Sequence, residues 1–376
     1  MRLRESVARE NRTPRLGGGR WPALRRLGAP PPTRRKPVWH VLEGEFELVL
    51  ANAAHIKNVP GRKSDVNDAT WIADLLAHGL IRASFVPPGP IQELRDLTRT
   101  RKQLVREVVQ HKQRIQKVLE DANVKLGSVV SDVLGASGRR ILRAMIAGEQ
   151  NPDKLAALAG ERLAASRETL TEALHGRVTR HHRFLLKQHL DMVEHLEQSV
   201  GEFEAQIEAA LEPFRPVIDR LVTIPGVSET AASVIVAEIG VDMQRFPTVG
   251  HLISWAGLCP GLNQSAGKVK SRTLREGAPW LKTVLVQSAW AASRHKDGYL
   301  RAQFLRIKSR RGPKKAIMAV AASMLTAAYY LVRDPVPYRE LGPHYLLRLD
   351  HERAATRLTQ RLRNLGYEVE IRKVAA

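Results

Sequence analysis

The stretch Leu221–Ser293 constrains the fold of this chain more than any other part of the sequence. It opens with apolar residues, a Pro225–Val227 turn and an Ala-rich segment, Glu229–Ile239, which is the pattern of a helix-hairpin-helix. Gly226 suits such a turn because it carries no Cβ to oppose a positive φ. A short turn that opens a helix also directs backbone N–H groups and the positive end of the helix dipole outward, where a phosphate can bind. We therefore predict a helical C-terminal domain in which Gly226 belongs to a nucleic-acid-binding turn.

Further along the same stretch, one serine lies within a cluster of cations in a Gly-containing loop. The serine is Ser265, and the cations are Lys268, Lys270, Arg272 and Arg275. A serine in such a loop is most often a turn residue that hydrogen-bonds its own backbone. As a nucleophile it would need a base and stabilisation of the developing charge, and the cations could supply only the second. On these residues alone, both interpretations remain open and the structural one is favoured.

The formal net charge of +22 predicts attraction to polyanions such as DNA, RNA or an anionic membrane surface. A single cysteine, Cys259, excludes an internal disulfide and a Cys-rich zinc site. The N-terminus lacks the apolar core of a signal peptide, so we expect a cytoplasmic protein.

A second basic run lies between two apolar segments near the C-terminus. Its cations are Arg310, Arg311, Lys314 and Lys315. They are equally consistent with a solvated surface and with phosphate contacts. The uncharged stretch that follows, 316–332, favours a buried core helix over a membrane span because it is short and Ala-rich.

The composition changes along the chain suggest five segments. Residues 1–36 hold eleven Lys or Arg residues against two Glu. We interpret them as a disordered or misframed arm, with an arm that binds nucleic acid as the alternative. Residues 37–90 read as part of an α/β unit, with a strand at 46–50 and a helix at 64–80. The apolar face of this helix is predicted to contain Ala69, Ile72, Ala73, Leu76 and Leu80.

Residues 91–215 form a helical insert with two long helices, 91–124 and 183–210, each marked by a repeating apolar seam. They could pair as an antiparallel coiled coil, form a dimer arm or pack within one subunit. Residues 216–334 are the C-terminal domain, with Trp255, Trp280 and Trp290 interpreted as its core. The tail, 335–376, carries a helix at 351–365 and a terminal strand at 367–371.

Asp65 and Asp68 lie at i and i+3 of a predicted first helical turn, which places both carboxylates on one face. Adjacent carboxylates suit Mg²⁺, and two metals can assist an in-line phosphoryl displacement. Asp is also common in first turns through capping and the helix dipole, so the spacing alone favours the structural role.

Several motifs in order resemble one family. They are Lys63-x-Asp65-x-x-Asp68, Ile224-Pro225-Gly226-Val227, Trp255-Ala256-Gly257-Leu258-Cys259-Pro260, Gln264-Ser265-Ala266-Gly267 and Ala289-Trp290-Ala291-Ala292. The chain resembles the DEDD-type insertion-sequence transposases, which are bridge-RNA-guided DNA recombinases. This resemblance implies an RNase H-like N-terminal domain, a coiled-coil segment and a serine-bearing C-terminal transposase domain. It also implies Mg²⁺-dependent DNA strand exchange, a guide RNA, a homo-oligomer (dimer or tetramer) with a composite active site, and no membrane.

Under the resemblance, Asp65 and Asp68 match the last two acidic ligands of the family, and Ser265 matches its nucleophilic serine. The first Asp and the Glu of the family have no counterpart here, since the Glu would fall near Ala29. We therefore expect a mainly α protein with a partial α/β remnant at its N-terminus and an impaired transposase activity. The alternative is a nucleic-acid-binding protein without catalysis.

Overall fold

The computed structural model describes most of the chain, in two compact units. Residues 1–85 and 86–376 make up the two units. The described residues are 39, 41–42, 45–51, 56, 68–81, 83–160, 163, 165–260, 263–265, 268–271, 273, 277–348 and 351–371. The predicted arm, 1–36, lies outside the described residues.

The described part of the chain is mainly helical, as predicted. Its α-helices are α1 (Asp68–Ala77), α2 (Gly89–Asp121), α3 (Leu126–Val129), α4 (Ala136–Ala147), α5 (Pro152–Ala157), α6 (Arg167–Ala173), α7 (Arg180–Leu211), α8 (Arg215–Val222), α9 (Glu229–Ile239), α10 (Val249–Trp255), α11 (Pro279–Ala292), α12 (Tyr299–Arg311), α13 (Pro313–Arg333), α14 (Tyr345–Arg348) and α15 (His351–Asn364). Two short strands, β1 (Asn263–Ser265) and β2 (Lys268–Ser271), pair in antiparallel fashion.

In the N-terminal unit, the predicted strand at 46–50 is wrong. Among its described residues, the pairing consists of an isolated bridge between Ala51 and Ala83 and a bond from the Ser84 N–H to the Leu50 carbonyl. A strand needs a continuous ladder with a neighbour, which this segment lacks. The apolar face predicted for the helix at 64–80 is also wrong, since Ile72, Leu76 and Leu80 are exposed and Leu75 is the buried residue among the helical positions whose burial is described.

The second unit is built on α2 and α7, which pack against each other in opposite directions. Arg101 of α2 pairs with Glu204 of α7, and His111 of α2 contacts His189 of α7. Both helices begin and end within three residues of the predicted bounds. The structure shows the two helices packed against each other within one chain. The Thr179 side chain caps α7, and α2 gives way to Asn123 at φ +58°, a left-handed conformation that ends a helix.

The short helices α3, α4, α5 and α6 cover the end of the α2–α7 pair at which α2 ends. Together they enclose an apolar core, which includes Ile115, Leu119, Ile141, Leu142, Met145, Leu186 and Leu190. Ile115, Leu186 and Leu190, which belong to the apolar seams of α2 and α7, therefore contribute to a core within one subunit.

The C-terminal helices pack around α13. Gly312, at φ +81°, turns the chain between α12 and α13, and Pro313 suits the first position of the new helix. This helix is long and apolar enough to cross a membrane, but 56% of its most apolar 18-residue stretch is buried inside the protein. It contacts α8, α10, α11 and α12, which is the packing expected of a core helix.

Two further expectations for the C-terminal part are wrong. Trp290 is 38% exposed because α11 buries Leu285, Ser288 and Ala289, and a residue next to Ala289 points about 100° away from that face. The segment 367–371 is not a strand, and Tyr367 and Ile371 are exposed. Trp255 and Trp280 are half-buried.

Candidate nucleic-acid interface

The turn between α8 and α9 has the geometry that its sequence requires. The Val227 N–H donates to the Ile224 carbonyl at 3.0 Å, and the Ser228 hydroxyl accepts from the Ala231 N–H at 3.2 Å and so caps α9. Gly226 adopts φ +85°, as predicted. A Cβ at this position would lie 2.5 Å from the Ser288 carbonyl oxygen, so glycine is also needed for contact with α11.

The first turn of α9 already carries an acidic side chain. The Glu229 carboxylate accepts from Arg215 at 3.1 Å, and Arg215 also pairs with Glu208. A carboxylate here interacts favourably with the helix dipole and opposes a second anion at the same end. The role of Gly226 in nucleic-acid binding therefore stays a prediction that this turn does not settle by itself.

Ser265 lies at the end of a short β-hairpin. It is the last residue of β1 and is opposite Lys268, the first residue of β2, which is exposed. Only two residues, which are outside the described ones, separate the two strands, so the predicted loop is the tip of a hairpin. Lys270 lies further along β2, and Arg272 and Arg275 are outside the described residues.

Two glycines fix the base of this hairpin. Gly257 adopts φ +69° just after α10, a conformation that glycine tolerates best. On the other side of the hairpin, a Cβ on Gly277 would lie 2.5 Å from the Ala256 carbonyl carbon and the Gly257 nitrogen. The two chain segments at the base therefore touch backbone to backbone, which anchors the hairpin to the helical core.

The second predicted cation cluster forms the turn between α12 and α13. Arg310 and Arg311 end α12, whereas Lys314 and Lys315 lie in the first turn of α13. All four side chains are exposed, and none pairs with a carboxylate among the described residues. An exposed cation cluster without acidic partners is suited to bind phosphates.

The metal-ligand prediction is only partly within the described structure. Asp68 is the first residue of α1, whereas Asp65 lies outside the described residues. In the described part of the chain, no group of three or more His, Cys, Asp or Glu side chains could hold a metal ion. Mg²⁺ is usually held by one or two carboxylates together with waters and substrate phosphates. The prediction that Asp65 and Asp68 bind this metal therefore stays a prediction.

The sequence interpretation missed a buried ion cluster that joins α2 to α9. Glu238 is 1% exposed, and its two carboxylate oxygens accept from Arg99 at 2.7 and 2.8 Å. Arg95 donates to the main-chain carbonyls of Ala237 and Glu238 at 3.1 and 2.6 Å. Burial lowers the pKa of Arg95, and the Glu238 carboxylate acts in the opposite direction. One signal was visible: Glu238 is the single charged residue of α9 beyond its first turn.

Comparison with known proteins identifies two matching regions. Residues 218–305 match the model of the Transposase IS116/IS110/IS902 family, and residues 28–124 match a model of DEDD-type IS110 transposases. A 43.6 kDa uncharacterized protein of insertion element IS110 from Streptomyces coelicolor is 32% identical over 144 residues. This match covers 37% of the present chain and 34% of that protein.

Proposed function

Because the chain belongs to the IS110-type transposase family, we propose that it is a DNA transposase or site-specific recombinase that cuts and rejoins DNA strands through Ser265. The observation that carries the proposal is the hairpin. It pairs Ser265 with the exposed Lys268 across the two strands, on a base anchored by Gly257 and Gly277. A nucleophile needs such a fixed position to approach a phosphorus atom in line.

In the proposed reaction, the Ser265 hydroxyl oxygen attacks the phosphorus of a DNA phosphodiester. The serine proton passes to a base, a phosphoserine ester bond forms, and the bond from phosphorus to one deoxyribose oxygen breaks. That oxygen takes up a proton and becomes a free hydroxyl. Attack by a hydroxyl of another strand reverses these bond changes and rejoins the DNA. Lys268 opposite Ser265 stabilises the negative charge that builds on the phosphate oxygens.

The proposal extends to the partners that the family resemblance implies. These are DNA ends and target, a guide RNA and further copies of this chain, with an RNase H-like N-terminal unit and a helix-hairpin-helix around Gly226. Gly226, Lys268, Lys270, Arg272 and Arg275 would contact one part of the nucleic acid. The turn cluster Arg310, Arg311, Lys314 and Lys315 would contact another part.

Mg²⁺ is the implied cofactor, and Asp65 and Asp68 are its proposed ligands. The family resemblance implies four acidic ligands, and two of them have no counterpart in this sequence. We therefore propose that this chain binds Mg²⁺ weakly and cuts DNA slowly.

The test is a labelled DNA substrate incubated with the full chain, with Ser265→Ala and with Ser271→Ala. Ser271 is a matched control because it lies in the same hairpin, opposite Asn263. We expect a covalent protein–DNA adduct on a denaturing gel with the parent chain and Ser271→Ala, and none with Ser265→Ala. The adduct should require Mg²⁺, and equal adduct in excess EDTA would contradict the metal requirement.

A non-catalytic nucleic-acid-binding protein is the second candidate. The exposed cations at the turn between α12 and α13 favour it, since they have no acidic partners among the described residues and need no chemistry to bind phosphates. Tight DNA or RNA binding without any adduct, unchanged by Ser265→Ala, would establish this candidate and reject the nucleophile.

A further inference from the structure

A groove of about 540 Å³ lies between α2, α7, α9 and α11. This volume is within the range of ligand-binding sites in proteins. Its walls include charged side chains from α2, the start of α9 and the half-buried Trp280 of α11. No described residue of the Ser265 hairpin or of the turn between α12 and α13 lines it, whereas Gly226 does.

Four carboxylates among the described residues line the groove, and each of them is paired with an arginine. Glu238 is bound by Arg99, Glu204 by Arg101, and both Glu208 and Glu229 by Arg215. These pairs leave the groove with cations that no carboxylate neutralises.

The unneutralised cations are Lys102 and Arg106, one turn apart on α2. Neither has a carboxylate partner among the described residues. Partial burial lowers the pKa of Lys102, and the neighbouring Arg106 and Arg101 lower it further. Two positive groups held together without a counter-charge are favourable for an anion, because its binding removes their repulsion.

Trp280 holds one of these cations in place. The Arg106 guanidinium carbon lies 5.2 Å from the centroid of the indole ring, and that of Arg99 lies 5.8 Å from it. Such contacts stabilise a guanidinium by about 0.5–1 kcal/mol at exposed sites. Since Arg99 is already bound to Glu238, Arg106 is the guanidinium that stays available to a ligand.

We propose that this groove binds phosphodiester groups of a single nucleic-acid strand, with Lys102 and Arg106 as the phosphate contacts and Trp280 as the residue that positions Arg106. The proposal rests on the function proposed above, since it assigns a further contact to the same nucleic-acid partner. A strand of DNA and one of RNA carry the same group, so the experiment below compares them.

The test measures the affinity of the full chain for labelled single-stranded DNA, single-stranded RNA and duplex DNA at several salt concentrations. The variant is Lys102→Ala with Arg106→Ala. The matched control is Lys117→Ala with Arg180→Ala, which removes the same charge from exposed positions outside the groove. Each contact with a single strand contributes about 0.7 to the slope of log affinity against log salt.

We expect the groove variant to lose about 1.4 in this slope, and about 25-fold in affinity at 0.1 M salt, for at least one single strand. A loss confined to RNA or to DNA identifies which strand occupies the groove. Trp280→Phe should give a smaller loss, since Phe holds a guanidinium less well than Trp. Thermal denaturation should show that all variants remain folded.

An equal loss in the control variant, or a loss seen only with duplex DNA, overturns this proposal. A parent chain that binds no nucleic acid overturns this proposal and the proposed function together. A parent chain that binds and forms the Ser265 adduct, with the groove variant no weaker than its control, overturns the groove alone.

Discussion

The α2–α7 helix pair has two ends that are built from opposite chemistry. At one end, short helices enclose Leu119, Leu186 and other fully apolar side chains. At the other end, α2 meets α9 through Arg95, Arg99 and Glu238, beside an open groove. One pair of helices therefore contributes to an apolar core at one end, and α2 contributes to a charged joint beside the groove at the other end.

The difference shows which contacts a repeating apolar pattern in the sequence can predict and which it cannot. Apolar residues at helical spacing predict which face of a helix is buried. At the core end these residues need only to be buried, without a specific partner. At the joint end, each charge needs a partner with the correct geometry from a distant part of the chain. Three predictions separate the two ends.

The largest effect is expected at the charged joint. Glu238→Ala leaves Arg95 and Arg99 largely buried without their carboxylate and should lower the free energy of unfolding by about 3–5 kcal/mol. Chemical denaturation measures this loss. Glu204→Ala is the control, because its pair with Arg101 is exposed to solvent and should contribute less than about 1 kcal/mol. Equal losses in the two variants would show that burial of the joint has no energetic consequence.

At the core end, Leu119→Ala should lower the free energy of unfolding by about 2–5 kcal/mol through lost burial and the cavity left behind. Val109→Ala, on the same helix but 47% exposed, should change it by less than about 0.5 kcal/mol. Nucleic-acid affinity, measured where Leu119→Ala is still folded, should match the parent chain. A weakened affinity would mean that the two ends are not independent.

The smallest effect is expected near the boundary between the ends, where the His111 and His189 Nδ1 atoms lie 3.3 Å apart. Arg114 donates to Nε2 of His111, so His111 carries its proton on Nδ1 and donates it to His189. Burial lowers the pKa of both rings. His111 lowers the pKa of His189 further, Arg114 lowers the pKa of both, and Glu107 raises that of His111.

These two rings therefore bind fewer protons in the folded chain than in the unfolded chain. This contribution to stability is complete above pH 6.5, the ordinary value of the pKa, and is lost as the pH falls through and below that value. The melting temperature should drop by a few degrees at most between pH 7.5 and 5.5. His189→Phe should remove part of this dependence, and His195→Phe, an exposed residue of the same helix, should retain it. A dependence that is identical in both variants would exclude this pair as its source.

The sequence predicted the long helices well because each carries its own signal. The seam Leu186–Leu190–Val193 is local, and its residues are buried as expected. Gly226 was also readable, since a tight turn before a helix demands a residue that tolerates positive φ. The Ser265 hairpin was predicted as a loop because its strands have three and four residues, too few for an alternating pattern.

The buried joint could not be predicted as a contact, because Arg99 and Glu238 are 139 residues apart in the sequence. Each alone is an ordinary helical charge, and only folding makes Glu238 a buried one. The strand at 46–50 failed for the converse reason, since a favourable local composition does not provide a neighbouring strand.

The continuity of α2 also has a mechanical consequence. It runs unbroken for 33 residues, so about 40 Å of rigid rod separates Arg95 from its C-terminal end. Arg95 and Arg99 bind α2 to α9 near the start of this rod. A rigid tilt of α2 by about 5° at this joint would displace its C-terminal end by about 3 Å. A small change of helix angle beside the groove would therefore be amplified at the far end of α2.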